Sequence, residues 1–310
     1  MSKLITVSGA TGTQGGSVTK SILADPELSK EFKIRAITRD VMKPTAKKLA
    51  EQGVELINAD LNSKESVSAA LKGSHTVYLV TNFWETANPA DEIRQGKNVA
   101  DAAKEAGVQH LIFSSLLNVT KTTNGRLTHV SHFDGKAEIE DYIKQSGVPC
   151  TFVLAGYYMS NCLGVLSEDD DGVYTLTYPV SAYAKFPLFD AGEDMGKFVA
   201  AAIKAHDSST LPNGAHVLAA SAYYTPPEIL ETFADVTGHA TRFVQVSPEQ
   251  YKSFLPAQMA DEILENHLFI EDPGYFDGAD LEASLKLLED VGRKPTTWRE
   301  FLERNKGTWQ

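Results

Sequence analysis

Two cysteines, no long apolar run and no surplus of positive charge: these are the scarcities of this 310-residue chain. Cys150 and Cys162 are too few for a disulfide framework, which makes a reducing compartment the default. Each reads as a small buried hydrophobe rather than a nucleophile. No stretch reaches the ~18 to 20 apolar residues that a membrane span needs. Acidic side chains outnumber basic ones by 41 to 29, for a formal net charge of -12. A surface of that sign repels both a nucleic-acid backbone and an anionic bilayer, so direct nucleic-acid and membrane partners are not expected. Contact with another protein is not excluded. Met1 leads straight into the strand-like "KLITVSG" without a signal-peptide pattern, and the expected location is the cytoplasm, with the nucleus also open.

What the chain does have is alternation. Its first half sets short apolar runs against helical stretches, the pattern of a parallel sheet wound with helices. Strands are predicted at "LITVSG" (4–9), "KIRAITR" (33–39), "VELINAD" (54–60), "TVYLVTN" (76–82), "HLIFSS" (110–115) and "PCTFVLAG" (149–156). Asn62-Ser-Lys-Glu65 reads as a capping box that opens one helix, and Ala90–Ala106 supplies another, ended by Gly107. After Gly156 the rhythm changes. "EDDDG" (168–172) reads as a solvated turn, because the alternating carboxylates of a calcium loop are absent. "HVLAA" (216–220) reads as one more central strand. Thr225-Pro-Pro-Glu228 and Ser247-Pro-Glu-Gln250 read as helix starts, and "TTWREFLERN" (296–305) as a closing amphipathic helix. The fold class is α/β: a doubly wound parallel sheet over residues 1–156, with helices on both faces. A smaller, mostly helical lobe follows over 157–310, interleaved with the last strands of the sheet at about 190–220.

Gly9-Ala-Thr-Gly12-Thr-Gln-Gly15-Gly16 directly follows the first strand and opens a helix at about Ser17. Glycines there allow a tight turn and a close approach of backbone to pyrophosphate, while the helix N-terminus offers free amides. At the end of the second strand an NAD site would place Asp or Glu, but "ITRD" puts Arg39 there, with Lys43 one turn on. A guanidinium suits the 2′-phosphate of NADP through paired, charge-assisted hydrogen bonds. The alternative is that Arg39 pairs with a surface acid. Asp60 and Leu61 end the third strand, where a carboxylate can accept from an adenine amino group. Phe83 and Trp84, after the fourth strand, either cover the nicotinamide end or pack.

"GATGTQGG", "VTNFWE" and "HFDGKAEIEDYI", in this order, resemble the NmrA-like family of atypical short-chain dehydrogenase/reductases, and its NADPH-sensing branch above all. The likeness runs over almost the whole chain. It implies a Rossmann domain, a smaller C-terminal lobe and NADP(H) in the cleft between them. Implied cofactor contacts are Gly9, Thr11, Gly12, Thr13, Gln14, Gly15, Arg39, Asp60, Leu61, Thr81, Asn82, Phe83 and Lys136. The strand-end run adds Gly156, Tyr157, Tyr158, Met159 and Asn161. Some members of the family are redox-sensing regulators that bind transcription factors or signalling proteins, and others reduce small molecules.

Short-chain dehydrogenases carry a tyrosine four residues before a lysine, and here none of the eleven tyrosines does. His132 precedes Lys136 instead, on one helix face that Ile139 and Ile143 continue inward. Lys136 can still hold the nicotinamide ribose. His132 is either the acid or an orienting residue, and neutral imidazole beside an ammonium donates only weakly to a developing alkoxide. No further ligand set accompanies His129 and His132, so a metal is not expected. Tyr157 and Tyr158 are further candidates for a hydrogen bond to substrate. Two functions stay open. One is an NADP(H)-dependent oxidoreductase acting on a small, partly aromatic quinone, enone or imine, or a non-redox ring closure in the same pocket. The other is a regulator that reads the NADPH/NADP ratio and changes its protein contacts. A homodimer is compatible with either.

Overall fold

Parallel strands cannot be joined by a tight turn, so each pair needs a crossover segment, and this chain supplies one after every apolar run. The computed structural model describes residues 2–309. The first half contains β1 (Lys3–Val7), α1 (Thr13–Ala24), α2 (Leu28–Glu31), β2 (Phe32–Thr38), α3 (Pro44–Glu51), β3 (Glu55–Asn58) and α4 (Lys64–Leu71). There follow β4 (Thr76–Leu79), α5 (Pro89–Glu105), β5 (His110–Ser115), α6 (Val119–Thr122), α7 (Ser131–Ser146) and β6 (Cys150–Ala155). A 3₁₀ turn, Phe83–Glu85, stands between β4 and α5. The second half adds β7 (Tyr157–Tyr158), α8 (Met159–Val165), β8 (Ser167–Glu168), β9 (Tyr174–Tyr178), β10 (Phe186–Phe189), α9 (Ala191–Asp207), β11 (Ala215–Ala219) and β12 (Ala222–Tyr224). It closes with α10 (Pro226–Thr237), β13 (Thr241–Gln245), α11 (Pro248–Ser253), α12 (Ala260–Phe269), α13 (Glu282–Glu289) and α14 (Trp298–Asn305).

Seven strands form one sheet in the order β11-β6-β5-β4-β1-β2-β3, with every pairing parallel. Helices cover both faces, giving a Rossmann-like α/β fold. β4, β5 and β6 are buried along their whole length, which is why they read as unbroken apolar runs. Strand order reverses between β1 and β4, and a crevice opens there beyond the carboxyl ends of the strands. Helix α1 lies in backbone contact with α9: a Cβ on Gly196 would sit 2.1 Å from the carbonyl oxygen of Ser17.

The structure moves several sequence-read boundaries. Helix α1 begins at Thr13, capped by Gly12, rather than near Ser17, since Gly15 and Gly16 are accommodated inside its first turns. Ser63, not Asn62, caps α4, because Asn62 is turned back onto Asp60. The capping boxes at Thr225, Ser247 and Thr297 are formed. Residues 157–310 hold more than helices, with the small sheets β12-β10-β7 and β13-β9-β8. Their strands span two to five residues, too few to carry a legible period. Both cysteines are buried, and burial pushes the thiols of Cys150 and Cys162 up to about 11 and about 12. Among the described residues, no helix is long and apolar enough to cross a membrane.

Two buried imidazoles tie this fold to pH. His110 is stacked on His206 with ring centroids 3.8 Å apart and pairs with Thr151 Oγ1 at 2.9 Å. Burial, reinforced by His206 and His75, lowers it to about 3. Burial also lowers His267 to about 4, against a hydrogen bond to the Ile263 carbonyl. Both rings stay neutral in the folded chain, whereas the unfolded chain takes up protons below pH ~6.5. Their stabilisation is complete above that pH and is lost as pH falls toward 4, on the order of a few kcal/mol. His129, raised by Glu265 at the surface, acts oppositely, above pH ~6.5. Urea midpoints are expected to fall steadily between about pH 7 and 4.5; a flat profile would show that neither ring resists protonation.

Candidate functional site

The crevice at the strand-order reversal is a cavity of about 700 Å³. Its floor is the loop between β1 and α1. Gly9 takes a left-handed backbone (φ +60), and Gly12 N–H donates to its carbonyl at 2.8 Å. A Cβ on Gly15 would lie 2.3 Å from that same oxygen, so only glycine lets the helix start this close to the loop. No side chain caps α1 and no acid stands in its first turn. The first-turn amides therefore face the crevice as a ready anion site. Gln14 is fixed from both sides: Tyr78 Oη donates to its Oε1 at 2.8 Å, and its Nε2 donates to the Tyr158 hydroxyl.

Arg39, Asp40 and Lys43 line one end of the cavity, with Asp60, Leu61 and Asn62 beside them. Arg39 is exposed and forms an ion pair with Glu85 of the 3₁₀ turn. Asp60 accepts from the backbone and side-chain nitrogens of Asn62, both at 2.9 Å, and these bonds hold its carboxyl below the usual range.

At the other end the walls are Thr81, Asn82, Phe83 and Trp84 after β4, His132 and Lys136 on α7, and Gly156, Tyr157, Tyr158 and Asn161 after β6. His132 and Lys136 do share one face. Glu262 of α12 accepts from the His132 backbone N–H at 2.8 Å and pairs with its Nδ1 at 2.6 Å. The ring of Trp84 packs 5.1 Å from that imidazole. Lys136 is engaged by Glu92 and by Thr81 Oγ1 (3.4 Å). Two sequence-read site residues need correction. Met159 is fully buried in the core, because the chain turns from β7 into α8 there and its side chain points away from the cavity. Tyr157 presents a wall, not a donor: its hydroxyl meets that of Tyr178 at 3.2 Å among Phe186 and His267, and burial pushes both hydroxyls well up.

Sequence reading missed Glu92, Glu262, Asn266 and Tyr275. The last two reach the cavity from the C-terminal lobe, where no motif marks them. Glu92 sits on the predicted helix Ala90–Ala106, where no local pattern separates it from the other acids of that helix. Among the described residues no group of three or more His, Cys, Asp or Glu could hold a metal.

A paired substitution tests the loop geometry. Gly15→Ala is expected to destabilise by about 1–3 kcal/mol through forced backbone displacement. Gly164→Ala, at an exposed helical site with open space around it, is expected to stabilise by about 0.5–1 kcal/mol. Denaturant midpoints that move in the same direction for both would contradict the close approach.

The NmrA-like family model matches residues 1–302. The NmrA-like family domain-containing oxidoreductase ptmS of Penicillium ochrochloron is 33% identical over 276 residues, covering 81% of this chain and 78% of the relative. Its counterpart malD of Malbranchea aurantiaca is 34% identical over 260 residues, covering 79% and 76%. Among solved structures, the negative transcriptional regulator NmrA in complex with NADP matches with a TM-score of 0.82 at 23% identity, over 99% of this chain and 96% of that one. The NADPH-dependent quinone oxidoreductase QOR2 of Escherichia coli, complexed with NADPH, matches with a TM-score of 0.77 at 23% identity, over 97% and 99%. The two structures speak for the fold alone. The family match and the relatives above 30% speak for descent, and this chain belongs to the NmrA-like family.

Proposed function

We propose that the chain is an NADP(H)-dependent oxidoreductase that reduces a small, partly aromatic molecule with a polarised double bond, of the quinone, enone or imine type. One observation carries this reading: the cleft is continuous. It runs from the cationic end at Arg39 and Lys43, over the glycine floor, to the aromatic end at Phe83, Trp84 and Tyr158. The residues present fit the dinucleotide. Gly15 lets the start of α1 close onto the glycine loop, the uncapped amides of α1 suit a pyrophosphate, and Arg39 suits a 2′-phosphate. When bound, a reduced nicotinamide supplies a hydride to an electron-poor carbon. Relatives named as oxidoreductases, and a fold neighbour that is an NADPH-dependent quinone oxidoreductase, support the same reading.

A second reading, a regulator that responds to NADP(H) and contacts a transcription factor or signalling protein, draws on one specific feature. Glu85 occupies the guanidinium of Arg39, and the same short turn carries half-exposed Trp84 against His132, itself tied to Glu262 of the C-terminal lobe. A 2′-phosphate that takes Arg39 from Glu85 would free that turn. A regulator of this kind would act in the cytoplasm or the nucleus.

Arg39→Ala is expected to weaken NADPH binding by about tenfold or more while leaving NADH binding nearly unchanged. Glu85→Gln should do the reverse, tightening NADPH by roughly a few-fold. Equal effects on both dinucleotides, read by calorimetry, would refute the 2′-phosphate assignment. Anaerobic NADPH oxidation is expected with at least one quinone, enone or imine. Tight NADPH binding without turnover of any would leave the regulator.

A further inference from the structure

Helices α5 and α7 approach more closely than ordinary side chains allow. A Cβ on Gly96 would lie 2.4 Å from Ile139, and one on Gly135 would lie 3.2 Å from Oε2 of Glu92. Glycine inside a helix costs about 1 kcal/mol relative to alanine, so two of them on facing surfaces need a reason. Gly96 makes room for Ile139, and Gly135 makes room for a carboxylate. Glu92 is 2% exposed; its Oε1 accepts from Lys136 Nζ and, at 2.7 Å, from Thr81 Oγ1. Its Oε2 is buried with no hydrogen-bond partner. Lys136 is on the cleft wall, 9% exposed, while Glu92 stands behind it and outside the lining.

The other ionisable groups facing this end are already committed. His132 is paired with Glu262, Tyr158 takes a hydrogen bond from Gln14, and Tyr275 donates to the Ala155 carbonyl. Farther along α7, Glu140 is balanced by Lys144, His216 and Ser115. On α5, Asp91 pairs with Arg94.

We propose that Glu92 is a positioning residue, which holds the Lys136 ammonium at the nicotinamide end so that Lys136 gives the substrate the proton a tyrosine would otherwise give. This rests on the reductase reading. The step is a single proton transfer: the Nζ–H bond breaks, its electron pair stays on nitrogen, and the lone pair left by hydride addition, on oxygen for a quinone or enone and on nitrogen for an imine, forms the new O–H or N–H bond. The neutral amine left beside Glu92 regains a proton from water. A buried ion pair suits this work because its geometry is fixed and its ammonium cannot wander to solvent.

Glu92→Gln keeps the shape and removes the charge. A buried ammonium stripped of its counter-charge sheds its proton. Lys136 is therefore expected to be acetylated by acetic anhydride about tenfold faster in the variant near pH ~7.5, read by peptide mass spectrometry. Lys20, with an exposed side chain, serves as internal reference. Glu92→Asp should restore protection. In the anaerobic assay the Glu92→Gln enzyme should lose turnover near pH ~8 and recover it toward pH ~6. Equal acetylation of Lys136 in wild type and folded Glu92→Gln would overturn the proposal, as would a loss of turnover that is the same at every pH. Should Glu92→Gln fail to fold, the double variant Glu92→Leu/Lys136→Met removes both charges together; turnover at the wild-type rate there would equally overturn it. Absent NADPH binding by the wild-type chain would sink the reductase reading, while the acetylation result would still test whether Glu92 holds Lys136.

Discussion

A doubly wound parallel sheet has to reverse its strand order somewhere, and here the reversal falls between β1 and β4. Crossovers leave β3 at one edge and bring the chain back on the far side of β1, so no helix covers the gap between the two strand ends. The glycine loop after β1 and the short turn after β4 become the two banks of that gap. Residues far apart in sequence, Arg39 and Glu85 among them, meet across it. The C-terminal lobe then closes the far side with α12, and the His132–Glu262 pair joins it to α7.

The two ends of the crevice carry ion pairs of opposite character. Arg39 and Glu85 are both solvent-exposed, and an exposed pair holds its partners weakly, so an incoming anion can replace the carboxylate. Lys136 and Glu92 are buried, and separating them would leave a charge without water or counter-ion. One pair is thus weakly held and the other firmly. Both pairs are invisible to local sequence patterning, since their members lie 46 and 44 residues apart.

Much of the architecture was legible because parallel-sheet strands, buried on both faces, announce themselves as apolar runs, and because glycine and capping motifs mark the turns. Family resemblance and fold class stood on those signals. The lobe's small sheets escaped notice because two-residue strands such as Tyr157–Tyr158 have no period to read. Met159 was misplaced for a related reason: adjacency in sequence to cleft residues says nothing about which way a side chain turns where strand passes into helix. Glu92 escaped most completely. On a helix rich in acids, nothing local separates the one carboxylate that is buried from those in water; Gly96 and Gly135, read as a facing pair, were the available hint.

Cys150 and Cys162 are sealed in the core, and their thiols are held protonated well beyond neutral pH. Oxidants that act on thiolates find no target on the folded chain. A molecule so arranged closes its cysteines to oxidants while its crevice stays open to small molecules.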